Sequence, residues 1–251
     1  MLKYKVSAVS YLNTIPFIYG INQSDLKDKI DLSLDYPSVC AQKLIENKVD
    51  IALVPIVVLK ENPQFIIISD YCIGANGNVD TVCLYSDVPL MEIQEIYLDY
   101  QSRTSVDLLK ILCREYWNIF PKFKPSTEGF ENKIKGKTAA LIIGDRAFSA
   151  NRKYNFVYDL SACWQEMTDL PFVFACWISN KEIDGDFILE FNKSLKMGIE
   201  NLEESIKKES KNYPHCKNPE EYLNHKISYT LDEDKRKGMK LFLKKLTRNK
   251  E

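Results

Sequence analysis

The feature that most constrains this sequence is a short apolar strand near its start, which leads directly into a polar turn and then a proline. Residues 6–9 form a short apolar run typical of a buried strand, and Pro16 fits the first position of a helix, where its missing N–H costs nothing. Between them lie Ser10, Asn13 and Thr14. In open α/β sheets small ligands bind at this edge, because helix N–H groups attract anions there. The same side chains could also act only as a helix cap.

Strands and helices alternate along the rest of the chain, which favours an α/β fold. The run at residues 51–59 is apolar on all sides, as in a parallel strand covered on both faces, and Pro55 should end that strand near Val54. The apolar spacing over residues 188–206 predicts one long amphipathic helix. We expect the other strands at residues 31–35, 65–68, 81–85, 96–98, 137–143 and 170–178.

A second polar turn, Ser102–Ser105, follows the predicted strand at residues 96–98. Thr104 with Asp107 three residues later resembles a capping box. Three hydroxyl groups and a guanidinium exceed what one cap needs, so the turn can also be interpreted as a carboxylate site at a helix N-terminus. Both interpretations remain open from the sequence.

The order of the elements predicts two lobes that face one cleft. We expect residues 1–86 and 176–251 to form the first lobe and residues 87–175 to form the second. A third strand-to-helix turn, Gly144-Asp145, would join the other polar turns there, and its glycine would let the backbone approach a ligand closely.

The charge balance excludes some classes of partner. The net charge is −1 and the isoelectric point is about 6.2, which gives no support to binding of nucleic acid or an anionic membrane. No apolar run approaches the roughly 18 residues of a transmembrane helix. The start of the chain lacks the cleavage site of a signal peptide, so we expect a cytoplasmic, unprocessed protein, and an oligomer is compatible with this sequence.

Cysteine and histidine give no sign of a metal or cofactor. The seven cysteines are odd in number and include no C-x-x-C pair, and most lie in apolar runs. His215 and His225 stand ten residues apart in a polar region, so neither a metal site nor a cofactor is predicted.

Several stretches together resemble one family, the chorismate dehydratases, over nearly the whole chain. The resemblance implies an α/β fold of the two-lobed periplasmic-binding-protein-like type (type II), with two mixed sheets flanked by helices and a helical C-terminal return. The matching stretches are Ser10-Tyr-Leu-Asn13, Pro37-Ser38 with its helix, Val49–Pro55, Asp99–Ser105, Ile143-Gly-Asp145, Leu170–Ala175 and Tyr229–Arg236.

The same resemblance implies loss of water from chorismate to give 3-[(1-carboxyvinyl)oxy]benzoate, on the futalosine route to menaquinone. It implies that the substrate's own enolpyruvyl carboxylate takes the proton, since the matching motifs contain few bases and neither histidine. Asn13 and Thr81 would be catalytic, although Thr81 stands where the family usually has serine. The substrate-binding residues would be Ser10, Tyr11, Ser38, Ser102, Arg103, Thr104, Ser105, Gly144 and Asp145.

Two alternatives remain from the sequence. A solute-binding protein with the same fold would be exported, and its leader or lipid-anchor cysteine is not visible near the start. The sibling enzyme that releases 1,4-dihydroxy-6-naphthoate uses a histidine base in its cleft, whereas His215 and His225 lie in the C-terminal helical region.

Overall fold

Two mixed β-sheets flanked by helices make up the computed structural model, which describes residues 3–150 and 153–246. The strands are β1 (Tyr4–Val9), β2 (Ile30–Asp35), β3 (Ile51–Pro55), β4 (Ile66–Ala75), β5 (Val82–Ser86), β6 (Glu95–Leu98), β7 (Lys122–Pro125), β8 (Thr138–Ile143), β9 (Phe156–Asp159), β10 (Phe172–Ser179) and β11 (Ser228–Thr230). The α-helices are α1 (Ile15–Asn22), α2 (Pro37–Ile45), α3 (Val58–Glu61), α4 (Thr104–Glu115), α5 (Arg146–Ala150), α6 (Leu160–Thr168), α7 (Gly185–Glu200), α8 (Leu202–Glu209), α9 (Pro219–His225) and α10 (Glu233–Leu246).

The first sheet has six strands in the order β11-β4-β10-β3-β1-β2. β1 pairs in parallel with β2 and β3, while β10 runs antiparallel between β3 and β4. Every residue of β3 is buried, as expected for the apolar run at residues 51–59. That strand ends at Pro55. At the last position of a strand, the missing N–H of a proline does not break the run of hydrogen bonds to the neighbouring strands.

The second sheet has five strands in the order β7-β6-β8-β5-β9. β6 is parallel to β7 and β8, and β5 is antiparallel to β8 and β9. Both sheets are therefore mixed, as the family resemblance implied. No helix among the described residues is both long and apolar enough to cross a membrane.

The sheets divide the chain at residues that differ from the predicted lobe limits of 86 and 176. β5, at residues 82–86, belongs to the five-stranded sheet, and the whole of β10 belongs to the six-stranded sheet. The pairing of β10 with β4 begins at Phe172 opposite Ala75, so the chain has already left the second sheet there. The chain therefore passes between the sheets within residues 76–81 and again within residues 160–171.

The single long helix predicted over residues 188–206 is wrong. α7 ends at Glu200, Asn201 has non-helical angles (φ −110°, ψ 41°), and α8 begins at the next residue. The Asn201 side-chain amide donates to the Met197 carbonyl at 2.7 Å, and the same carbonyl accepts the Asn201 backbone N–H at 3.1 Å. The apolar spacing continues through the break because Leu202 and Ile206 still pack against the core.

Candidate active site

A small cavity of about 60 Å³ lies where turns of both sheets meet. Its walls come from the ends of β1 and β8, the start of α4, the loop before β5, and β10. None of the described residues in its lining carries a formal charge. They are Val9, Tyr11, Asn13, Pro37, Pro55, Ile73, Val79, Thr81, Val82, Ser102, Thr104, Ser105, Ile143, Gly144, Phe174 and Ala175.

Most residues that the sequence proposed for the site line this cavity. Asn13 and Thr81, the predicted catalytic pair, both do so, as do Tyr11, Gly144 and the hydroxyl residues at the start of α4. The structure does not bring the remaining predicted residues into the lining, which are Ser10, Ser38, Arg103 and Asp145.

The first polar turn does not act as a side-chain cap. After β1 the chain forms a short 3-10 helix, Leu12–Thr14, and then α1, with Pro16 in its first turn one residue later than expected. Neither end of this turn has a side-chain capping hydrogen bond; the Thr14 hydroxyl instead donates to Asn13 Oδ1 at 3.2 Å. The capping interpretation of these side chains is therefore wrong.

Tyr11 crosses from the first turn to the second sheet. Its hydroxyl donates to Gln101 Oε1 at 2.5 Å. Burial raises the pKa of Tyr11 well above its ordinary value of 10, and nearby Asp99 adds to the shift, so the phenol stays neutral. Gly144 lies beneath the ring with φ +64°, and a Cβ there would be 2.7 Å from two ring carbons. Only glycine fits at this position with Tyr11 in place.

Asp145 contacts the first turn rather than the cavity. Its two carboxyl oxygens accept from the Leu12 backbone N–H at 3.2 and 3.3 Å. Burial raises the pKa of this carboxyl from 3.8 to about 6, and the hydrogen bond from Leu12 only partly opposes that effect. The sequence suggested that backbone N–H groups of this turn bind a ligand anion. The Leu12 N–H instead donates to the Asp145 carboxyl of the protein itself.

The start of α4 brings three hydroxyl groups to the cavity. The capping box predicted from Thr104 and Asp107 is wrong, because Thr104 is already helical and the Ser102 hydroxyl accepts from the Ser105 N–H at 3.1 Å. Thr104 is 2% exposed, and its hydroxyl has no hydrogen-bond partner among the described residues. A buried polar group without a partner is unfavourable, so this hydroxyl is suited to receive a ligand.

The other predicted residues have partners elsewhere. One Arg103 nitrogen lies 2.9 and 2.8 Å from the two carboxyl oxygens of Glu61 on α3, in a partly exposed ion pair. The Ser10 N–H donates to the Asp35 carbonyl at 2.9 Å, and Ser38 lies in the first turn of α2 beside a lining proline.

Sequence reasoning missed the second layer of this site. The Tyr222 hydroxyl lies 2.8 Å from Thr81 Oγ1, and the Tyr229 hydroxyl donates to the Asn13 carbonyl at 3.1 Å. Tyr229 begins one of the family-like stretches, which was a usable signal, whereas nothing in the sequence around Tyr222 connects it with Thr81.

Charged groups near the site neutralise one another. Arg146 donates to both carboxyl oxygens of buried Asp99 at 2.7 and 2.6 Å, and to Glu131 at 2.7 Å. In the described part of the chain, no group of three His, Cys, Asp or Glu side chains is placed to hold a metal ion. The cavity therefore offers neutral donors and acceptors to a ligand.

The sequence matches a known family over almost its full length. Residues 4–248 match the family described as menaquinone biosynthesis. A relative from Thermus thermophilus, a chorismate dehydratase, is 27% identical over 231 residues, which cover 84% of each chain.

Solved structures share the fold at low sequence identity. A protein of Archaeoglobus fulgidus matches with a TM-score of 0.77 at 14% identity, covering 98% of this chain and 97% of its own. A Candida albicans protein described as having the generic periplasmic binding protein fold matches at 0.66 and 14%, covering 99% and 96%. The Escherichia coli periplasmic aliphatic sulphonate binding protein SsuA matches at 0.63 and 12%, covering 99% and 88%.

These likenesses confirm the periplasmic-binding-protein-like fold, and the family match covers both sheets and the cavity between their turns. The chain belongs to the menaquinone biosynthesis family.

Proposed function

We propose that this chain is a chorismate dehydratase, which removes water from chorismate to give 3-[(1-carboxyvinyl)oxy]benzoate. The observation that carries the proposal is the neutral cavity in which Asn13, Thr81 and the unpartnered Thr104 hydroxyl converge. The likeness to the Thermus thermophilus chorismate dehydratase, over 84% of both chains, supports the choice of substrate. We take the enzyme to be cytoplasmic, with this small molecule as its partner.

The chemistry asks little of the enzyme beyond positioning. Chorismate has two carboxylates and an allylic hydroxyl on a ring that is not yet aromatic. Loss of that hydroxyl with one ring proton makes the ring aromatic, and the stability of the product drives the reaction. The enzyme must hold the substrate, transfer one proton and stabilise the departing hydroxyl.

One substrate carboxylate binds at the start of α4 in this proposal. The Thr104 hydroxyl donates to it, which gives the buried, unpartnered group the partner it lacks. The N-terminus of this 12-residue helix favours a negative charge. A hydrogen bond to a charged group contributes about 1.5–3 kcal/mol, enough to orient the substrate ring.

The second carboxylate acts as the base. No charged side chain among the described residues lines the cavity, and His215 is exposed at a separate surface groove. A base must come within about 3 Å of the proton, and the enolpyruvyl carboxylate of the substrate can meet that condition. It takes the ring proton, and the C–O bond to the allylic hydroxyl breaks at the neighbouring carbon. The enolpyruvyl carboxyl then gives this proton to the departing oxygen, so that water leaves and the carboxylate is restored.

Asn13 and Thr81 face the departing hydroxyl. The Asn13 amide orients the ring and donates to that oxygen, and the Thr81 hydroxyl provides a second neutral hydrogen bond. The extra methyl of Thr81, relative to the serine usual in the family, adds bulk without removing the hydroxyl.

Substrate binding requires the two sheets to separate. A cavity of about 60 Å³ is far below the roughly 300–1,000 Å³ of pockets that hold drug-sized ligands. Tyr11 with Gln101, Leu12 with Asp145, and Glu61 with Arg103 link the two halves in the closed form. Closure over the substrate excludes water and strengthens the hydrogen bonds inside.

The two alternatives have less support. A histidine-dependent sibling enzyme would place a histidine at the cavity, and neither His215 nor His225 lines it. A solute-binding role rests only on fold likeness at 10–17% identity.

The test is incubation of purified protein with chorismate, followed by chromatography and mass spectrometry. We expect an aromatic product lighter by one water, at a rate proportional to protein concentration. Boiled protein and protein-free chorismate control for spontaneous rearrangement. Chorismate that binds, as measured by calorimetry, but remains unchanged would refute the enzyme and favour the solute-binding role.

A further inference from the structure

Tyr222 lies outside the cavity lining, but its hydroxyl reaches a residue inside it. The side chain is 4% exposed, and its ring packs edge-on against Phe148 with centroids 5.0 Å apart. The phenolic oxygen lies 2.8 Å from Thr81 Oγ1. A tyrosine on α9 thus contacts a candidate catalytic residue 141 positions earlier in the chain.

The orientation of the Thr81 hydroxyl depends on this contact. Among the described residues, its other hydrogen-bond partner is the Val79 carbonyl, at a long 3.3 Å. A threonine hydroxyl carries one proton and rotates about its C–O bond, so the shorter contact decides where the proton and the lone pairs point. Without Tyr222, Thr81 would keep only the weak bond to Val79.

Tyr222 remains a neutral phenol. Burial raises its pKa well above the ordinary value of 10, and Asp145 and Cys216 add to this shift. The hydrogen bond shared with Thr81 opposes the shift without cancelling it. A neutral phenol neither takes the ring proton nor carries charge, so its contribution is directional hydrogen bonding.

We propose that Tyr222 is a positioning residue for the dehydration, which aims the Thr81 hydroxyl at the departing hydroxyl of the substrate. This inference rests on the proposed function. It places one phenol behind a cavity residue of the loop before β5.

The experiment compares Tyr222→Phe with the wild-type chain by steady-state kinetics on chorismate. We expect kcat to fall about tenfold or more and KM to change less than about threefold, because the lost contact acts in the reaction step rather than in substrate binding. Phenylalanine keeps the packing against Phe148, so urea unfolding should stay cooperative.

Tyr154→Phe is the matched control. It removes a hydrogen bond from another tyrosine, to the Glu131 carbonyl at 2.9 Å, at a place away from the cavity. We expect its kcat and KM to equal those of the wild type, which separates loss of a tyrosine hydroxyl in general from loss at this position.

A double-mutant cycle tests whether Tyr222 acts through Thr81. If it does, Tyr222→Phe in a Thr81→Val background should lower kcat by less than about twofold further. Three outcomes would overturn the positioning role: an unchanged kcat in Tyr222→Phe, an effect on KM alone, or a kcat loss in the double variant equal to the product of the two single losses. Each of them would leave the proposed function intact. Absence of turnover in the wild-type chain would refute both.

Discussion

The carboxyl group of Asp145, at the end of β8, accepts a hydrogen bond from the backbone N–H of Leu12, at the start of the first polar turn. The two residues lie in turns that follow strands of different sheets, so this bond closes the cleft at one edge of the cavity. A carboxyl here occupies the kind of helix-start position that attracts anions. The Asp145 carboxyl therefore lies where the sequence suggested that a carboxylate of the ligand would bind.

This arrangement predicts a specific pH dependence of stability. The pKa of Asp145 is about 6 in the folded chain and 3.8 ordinarily, so between these values the folded state binds more protons. Its stabilising contribution is full below pH 3.8 and is lost as pH rises through about 6, by up to about 3 kcal/mol. Asp145→Asn removes this dependence and keeps an acceptor for Leu12.

Urea unfolding at several pH values checks this. We expect the stability of Asp145→Asn relative to wild type to increase from pH 4 to pH 7. If the free energy of unfolding changed with pH in the same way for the wild type and for Asp145→Asn, the Asp145 carboxyl would not be in the buried environment described here.

Gly144→Ala should damage both stability and activity. The new Cβ meets the Tyr11 ring at 2.7 Å, and φ is +64°. Left-handed strain costs about 1–2 kcal/mol, and overpacking adds about 1–3 kcal/mol. Gly129→Ala is the control, because its φ is also positive and nothing lies within 4 Å of the added carbon. Equal unfolding free energies for the two variants would contradict the close contact with Tyr11.

Thr104→Val should weaken chorismate binding without loss of stability. The variant keeps the side-chain shape and removes a buried hydroxyl that lacks a partner, so the folded state loses no hydrogen bond. We expect KM to rise about tenfold, from loss of a bond to a charged carboxylate. Ser161→Ala also removes an unpartnered buried hydroxyl, outside the cavity lining, and should leave KM unchanged. A KM unaffected by Thr104→Val would exclude Thr104 from substrate binding.

Arg103→Ala should have little effect. The guanidinium pairs with Glu61 in a partly exposed ion pair, which contributes about 0–1 kcal/mol to stability and is screened by salt. We expect KM to change less than about twofold. A tenfold rise in KM would instead assign Arg103 to substrate binding, as the sequence suggested.

The hydrophobic pattern predicted much of the fold, because burial decides which residues form strands. The run at residues 51–59 predicted β3 with an end near Val54, one residue before the observed end at Pro55. β7 lies at the edge of its sheet, and its residues Lys122–Pro125 alternate two lysines with one aromatic residue and a proline. It was missed because this pattern contains too few apolar residues to indicate a strand. The break at Asn201 was missed because the apolar spacing on either side of it is continuous.

Local chemistry indicated which turns matter but not which groups in them face the cavity. Asn13 and Thr104 were found because each lies in a polar strand-to-helix turn that also belongs to a family-like stretch. Tyr222 was missed because its contact with Thr81 depends on tertiary structure, and a tyrosine in a short helix is equally typical of a core position.

The most direct test of the central claim is the kcat of Asn13→Ala for chorismate dehydration, measured beside the wild-type chain at saturating substrate. The account predicts a decrease of at least about tenfold, or about 1.4 kcal/mol of lost transition-state stabilisation, with cooperative unfolding preserved. A folded Asn13→Ala variant with wild-type kcat would contradict it.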